Sequence, residues 1–450
     1  MIDLRQKLAR RAELRYGFLF LPGAIAAGFV VAALVIVQLD HLGGPDGVGI
    51  GFEGNAQGAR TILATVAGSL ITVTGVTFSV TVVSLQLVSQ QFSPRAIRTF
   101  LGDRVTQVTA GVLVGTFAYC LLVLRSVRAG GDFVPSLSIS AAIALGVLSM
   151  GVLLVFIHHM STSIQVSTIT GRVSRATLAS VRGLYPEFFG GPEAEDPEEV
   201  LRGWNAELEP QRVYPTRPGY VRYVGLDVLR AELDARPLRV HVPVAPGDFV
   251  TEAEPIMELW VEQLDGELEE SARAAVVVGD ERDVEQDAGY GVRQLADIAM
   301  RAISPSVNDP TTARTCLGYL RAILERLAGR AFPASVRRFD DDVVLVVHVT
   351  PFEQYVDSAF AQVGSYASDA RVAADLIDAT AAVARAAIEA GAEERLAALQ
   401  EAAVVAAEAA LDGAKSDFER RRVAEALARF DRAAGYDASA ASAASCSATR

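Results

Sequence analysis

The stretch TILATVAGSLITVTGVTFSVTVVSLQLVSQQFSP, residues 61–94, decides how this chain is read: it carries no charge, yet Ser, Thr and Gln recur along it. Within it ITVTGVTFSVTV (71–82) alternates apolar and polar with a period near two and is rich in β-branched residues. Alone, that is a strand signal. An isolated strand in lipid would leave its backbone edges unpaired, a cost only helices and closed barrels avoid. The other apolar segments of the chain are long helical runs, so the spacing predicts a membrane helix.

At roughly 100° per residue, Thr65, Gly68, Thr72, Gly75, Ser79 and Gln86 fall on one side of that helix, with Thr61, Ser69 and Gln90 beside them and Val76 and Val83 interrupting. The opposite side carries Leu63, Val66, Leu70, Val73 and Val88, together with a second, weaker polar strip of Thr74, Thr77, Thr81 and Ser84. Two readings of the first face stand side by side. Its small residues let helix backbones approach closely, or its hydroxyls line a water-filled path between copies of the chain.

Working outward, 450 residues are enough for two or three domains. A mean hydropathy of +0.28 with 51% hydrophobic residues points away from a wholly soluble protein. The apolar excess lies in the first third. Candidate spans occupy 16–39, 61–90, 105–124 and 137–158, each near or above the roughly 20 residues a bilayer requires. Arg5, Lys7, Arg10, Arg11 and Arg15 precede the first span, Arg95, Arg98 and Arg104 lie between the second and third, and Arg172 and Arg175 follow the fourth. The loop 40–59 holds Asp40, Asp46 and Glu53 without a basic residue, and only Arg125 and Arg128 dissent. By the positive-inside rule both termini are cytoplasmic. The first apolar run is too long for a cleavable signal peptide.

The net charge of −13 belongs mostly to the remaining chain and argues against nucleic acid as a partner. Cys120, Cys316 and Cys446 show no pairing pattern, which suits a reducing compartment and no zinc site. No cofactor is expected. The expected partners are the lipid bilayer, further copies of the chain in a homo-oligomer, and a permeating ion or small solute.

After the membrane domain (1–160), the fourth span is expected to continue as a helical stalk over 161–185, with His158 and His159 at the interface, where a headgroup or pH-sensing role competes with simple interfacial placement. Ser93 and Pro94 read as the start of a short helix, lying in the membrane interface or forming only a plain helix turn. PEFFGGPEAEDPEE (186–199) opens an acidic linker reaching 212. A β-rich segment (213–280) follows and resembles the barrel-sandwich fold of biotinyl and lipoyl carrier domains, chiefly through Pro246-Gly247-Asp248-Phe249-Val250. Where that resemblance implies a modified lysine, this chain has Gln263, and no lysine occurs between Lys7 and Lys415. A swinging-arm carrier is thereby excluded.

A mostly helical segment (281–436) begins with DAGYGVRQLADIAMRAISPSVNDP (287–310). Asp287 is expected to cap one helix and Asp309, with Pro310, the next. Arg293, Asp297 and Arg301 follow four-residue spacing. Arg293, Asp297, Asn308 and Asp309 are the candidate ligand or ion residues here, against a purely structural role in charge pairing and capping. A strand is expected over 340–350, Ala-rich helix to about 430, and a disordered tail at 437–450.

TFSVTVVSLQLVSQQFSPR after Val76, the GDFV turn, and above all QDAGYGVRQLADIAMRAISPSVNDPTTA from Gln286 resemble a bacterial family of predicted membrane proteins, domain of unknown function 2254. The resemblance implies a multi-pass protein of the bacterial inner membrane with a cytoplasmic domain, and it implies no activity. The expected fold is therefore an α-helical membrane domain of four transmembrane helices, followed by a cytoplasmic α+β domain with a small barrel-sandwich-like β core.

Catalytic signatures are sparse. Without lysine in the body of the chain there is no P-loop and no Schiff base. The five histidines form no HExxH or Cys/His cluster. The spans lack the ionisable groups of proton-coupled transporters. An oligomeric channel lined by the second span is the leading expectation, and a membrane-anchored sensor or scaffold is its alternative; an enzyme is not expected.

Overall fold

The computed structural model describes residues 20–42, 52–91, 103–127, 134–163, 165–185, 195–225, 238–339 and 343–435. The short helix expected at 93–102 and the tail from 437 lie outside them. Two compact units divide the chain, Met1–Thr168 and Ile169–Arg450.

The first unit consists of α1 (Phe20–Leu42), α2 (Ala56–Gln91), α3 (Arg104–Ser126) and α4 (Ser136–Ser163). Each is long and apolar enough to cross a membrane. Residues 71–82 are helical despite their alternation. Their hydroxyls bond back to the preceding turn, as from Thr74 to Leu70 O at 2.7 Å and from Thr81 to Thr77 O at 2.8 Å. Polar side chains in a membrane helix thus cost little, because the helix itself supplies the acceptors.

Packing in this unit centres on α3, whose Gly111 and Gly115 admit α1. A Cβ at Gly111 would lie 2.9 Å from Ile25, and one at Gly115 would lie 3.0 Å from the ring of Phe29. That is the small-xxx-small approach typical of membrane helices. Ala59, Leu63, Ala67 and Leu70 of α2 are buried. Val147, Leu148 and Leu154 of α4 are exposed, as lipid-facing residues are. Carboxylates tie both ends of the bundle. Asp40 is not a loop residue: it lies in the last turn of α1, fully buried, and caps α4 through the amides of Leu137 (3.2 Å) and Ser138 (2.9 Å). At the opposite end Asp103 caps α3 through the Thr106 amide at 3.0 Å and receives His159 Nε2 of α4 at 2.9 Å.

The stalk expected over 161–185 is a separate helix. α4 stops at Ser163 and α5 (Val166–Leu184) begins after it. Before the break the Thr162 hydroxyl bonds to the carbonyls of His158 and His159, and the Ser163 hydroxyl meets His159 Nε2 at 3.1 Å, local bonding that competes with helix continuation. α5 buries Thr170, Val173, Thr177 and Val181.

In the second unit α6 (Pro197–Glu207) occupies part of the expected linker and sets Trp204 edge-on to Trp260, with ring centroids 4.9 Å apart. The strands are β1 (Gln211–Val213), β2 (Gly219–Val224), β3 (Arg239–Val242), β4 (Phe249–Val250), β5 (Met257–Leu259) and β6 (Val276–Gly279), with α7 (Gly266–Ala275) before β6. Then come α8 (Ala288–Ile303), α9 (Pro310–Ala328), β7 (Val336–Phe339) and β8 (Val343–Val347). α10 (352–364) carries a π turn at Asp357–Ala361. α11 (Ala370–Glu389), α12 (Leu396–Gly413) and α13 (Asp417–Ala433) complete the unit.

The barrel-sandwich expectation is corrected here, since no closed barrel forms among the described residues. One sheet runs β1-β5-β3-β8-β7 and a second runs β4-β2-β6. Strand β8 pairs parallel with β3, from Arg239 opposite Val344 to Val242 opposite Val347, so a strand from far downstream extends the first sheet. Between the sheets lie Val213, Val221, Val240, Val242, Met257 and Leu345, all essentially inaccessible. The Pro246-to-Val250 turn exists, with Gly247 at φ +102°, a conformation favouring glycine. It abuts the start of α8, not a carrier lysine: a Cβ on Gly247 would overlap Asp287 Oδ2.

Candidate functional site

The two polar strips of α2 have opposite fates. Thr77 and Ser84 are buried and Thr74 and Thr81 half-buried, so the weaker strip lies on the bundle side of the helix. Thr65, Gly68, Thr72, Gly75, Ser79 and Gln86 are all exposed. At Gly68 and Gly75 nothing lies within 4 Å of where a Cβ would be. Three of the hydroxyls already donate to the preceding turn: Thr65 to Thr61 O (2.7 Å), Thr72 to Gly68 O (3.2 Å) and Ser79 to Gly75 O (3.0 Å). What this face presents outward is hydroxyl lone pairs and bare backbone. Its helix also outreaches α3. Thirty-six residues rise about 54 Å, against about 35 Å for the 23 residues of α3.

The second group of predicted residues is split between two places. Arg293 and Asp297 form an i,i+4 ion pair on α8 at 3.0 Å, and Arg293 also donates to Gln362 Oε1 beyond the π turn of α10. Gln362 in turn donates to Asp357 at 2.7 Å. The chain Asp297–Arg293–Gln362–Asp357 thus fastens α8 to α10. Asn308 and Asp309 lie past the C-terminus of α8. Asn308 is exposed and holds φ +49°, the left-handed conformation asparagine tolerates. Asp309 caps α9 through the amides of Thr311 and Thr312, both at 3.1 Å. The Thr312 hydroxyl and amide hold its carboxyl below the ordinary range.

Between them, the GYG of the family-like motif is explained by packing. A Cβ on Gly291 would overlap Thr177 Oγ1, so α5 and α8 cross with backbone against side chain. Asp287 accepts from the Tyr290 amide at 2.8 Å and from Arg282 Nε at 2.8 Å. Burial nevertheless pushes its carboxyl above the usual value, outweighing the arginine. Nearby the hydroxyls of Tyr185 and Tyr355 share a hydrogen bond of 2.6 Å, and burial raises both phenols.

Sequence reasoning does not single out Arg282, Tyr185, Tyr355 or Arg395. Arg395 is buried, donates to the carbonyls of Leu327, Ala328 and Arg330 at 2.8 to 3.1 Å, and lies over the rings of Phe332 (4.7 Å) and Phe352 (5.0 Å). A single arginine following GAEE offers no pattern to find it by. Among the described residues no group of three or more His, Cys, Asp or Glu is placed to hold a metal.

Four apolar spans followed by a mixed α/β unit define a multi-pass membrane protein. The sequence pattern of the family described as "Predicted membrane protein (DUF2254)" matches residues 15–382, and the chain belongs to that family. It is 36% identical over 327 residues to the uncharacterized protein Mb1321c of Mycobacterium bovis, and 36% identical over 327 residues to the uncharacterized protein Rv1290c of Mycobacterium tuberculosis. Each alignment covers 70% of this chain, which spans 62% of the length of those curated relatives. No solved structure matches the chain.

Proposed function

We propose that the chain assembles as a homo-oligomer in the bacterial inner membrane, with both termini cytoplasmic, and that the exposed faces of α2 meet around an axis and pass ions or small solutes. One observation carries the reading: Thr65, Gly68, Thr72, Gly75, Ser79 and Gln86 turn outward while the opposite face of the same helix is packed. Within one chain α1 already fills the grooves at Gly111 and Gly115, which argues for a path between copies instead of through a single bundle. The second unit would serve as the cytoplasmic gate.

A second reading has its own support. Because Thr65, Thr72 and Ser79 satisfy their hydroxyl protons within the helix, the face needs no water and can serve only for packing between copies. The protein would then be a membrane-anchored sensor or scaffold. Purified protein in liposomes separates the two. Channel function gives ion flux that falls or changes selectivity in Thr72→Leu and Ser79→Leu. An intact oligomer with no conductance under voltage, tension or pH change sinks the channel reading.

A further inference from the structure

At the N-terminal end of α13 the second unit presents basic side chains beside an exposed aromatic ring. The helix buries Val423, Ala426 and Phe430 on one face and leaves Phe418 64% exposed on the other. Arg422 lies over the Phe418 ring, its guanidinium carbon 5.7 Å from the centroid. Lys415, Arg420, Arg421 and Arg422 are all exposed within eight positions, in a chain whose net charge is −13.

Two of the neighbouring acids are engaged locally. Glu419 folds back onto the amides of Lys415 (2.7 Å) and Ser416 (3.1 Å). Asp369 accepts from the amide and the guanidinium of Arg371, each at 2.8 Å. Asp417 and Glu425 remain exposed. A cavity of ≈ 240 Å³ opens beside Phe418 and Arg422, lined also by Asp369, Ala370, Arg371 and Glu419.

We propose that this end of α13 docks onto an anionic bilayer, with Phe418 entering the headgroup region and Arg421 and Arg422 pairing with lipid phosphates. An exposed aromatic ring with Arg422 over it and further arginines beside it in sequence supplies the two signals, apolar and electrostatic, that interfacial attachment requires. Each basic side chain near an anionic leaflet contributes on the order of 1 kcal/mol. Charge complementarity singles out the bilayer as occupant, and covalent connection to the spans keeps that bilayer at high effective concentration.

The test uses the full chain in lipid nanodiscs, either zwitterionic or with about 30% phosphatidylglycerol, read by hydrogen exchange of residues 415–425. Exchange should slow at least about threefold in the anionic discs, and the protection should disappear in Arg421→Gln/Arg422→Gln, weaken in Phe418→Ser and be screened by high salt. Unchanged melting temperatures of these surface variants separate lost docking from lost folding. Equal exchange in both discs overturns the proposal. So does protection reproduced by inorganic phosphate in zwitterionic discs, which would make the ligand a soluble anion, or protection that follows protein concentration instead of lipid charge, which would make it a second copy.

Discussion

The carboxylate of Asp40 receives both the backbone amide and the hydroxyl of Ser138, at 2.9 and 2.6 Å, across 98 positions of sequence. One span thereby caps another, and the orphan amides at the start of α4 are satisfied by a side chain from α1. Tyr119 of α3 adds a hydrogen bond to Ser138 O at 3.1 Å. Asp40→Ala should therefore cost about 1–3 kcal/mol by leaving those buried amides unpaired, and Asp40→Asn less. Thermal unfolding in detergent measures both, and a wild-type melting temperature in Asp40→Ala would refute the assignment.

Gly291 tests the crossing of α5 and α8. Because Thr177 Oγ1 already occupies the space a methyl group would need, Gly291→Ala should destabilise by about 1–3 kcal/mol through overpacking. Thr177→Ala should recover part of that loss in the double variant, because the coupling is between two touching residues. Strictly additive effects would show that the strain is relieved elsewhere.

Arg395 gathers the carbonyls at the end of α9 while lying over the rings of Phe332 and Phe352. Burial lowers its own affinity for the proton, yet three carbonyl acceptors compensate. Arg395→Met should cost about 3 kcal/mol or more, since it leaves several buried acceptors without donors. Arg395→Lys should recover little, because an ammonium cannot reproduce the planar fork. Chemical denaturation of the full chain in detergent discriminates between the two variants.

Two carboxylates of the second unit give opposite pH responses. Glu258 is held below its ordinary value of 4.5, first by the hydrogen bond from His241 and then by Arg212. Its contribution is present above that value and is lost as pH falls through the depressed folded pKa. Asp287, raised above 3.8 by burial, binds its proton more tightly when folded, so its effect is to weaken the fold as pH rises through the raised pKa. Melting curves against pH should lose acid sensitivity in Glu258→Gln and lose the opposite slope in Asp287→Asn.

The membrane helices were legible because charge-free length has one solution in lipid, and Asp287 and Asp309 were legible as caps because capping is local. The facing of α2 was harder. Both strips carry hydroxyls, and only the company of Ala59, Leu63 and Ala67, which share the inward side, decides between them. Asp40 read as a loop acid because its acceptor role depends on the start of α4, nearly a hundred positions away. Of the barrel-sandwich reading, the turn at Gly247 and two small sheets are present without a closed barrel among the described residues; the turn is local, whereas β8, which extends one sheet, comes from far downstream.

The parallel pairing of β3 with β8 also sets a schedule for the ribosome. β3 and β5 can pair as soon as they emerge, but the other edge of β3 stays open until about a hundred further residues have been made. Throughout that interval the nascent chain exposes a valine-rich template to any neighbouring strand. Residues 213–280 expressed alone should therefore fold poorly, because β3 would lack its parallel partner. A fragment ending before Val336 should emerge with its sheet unfinished and aggregate, whereas one reaching past Val347 can complete it.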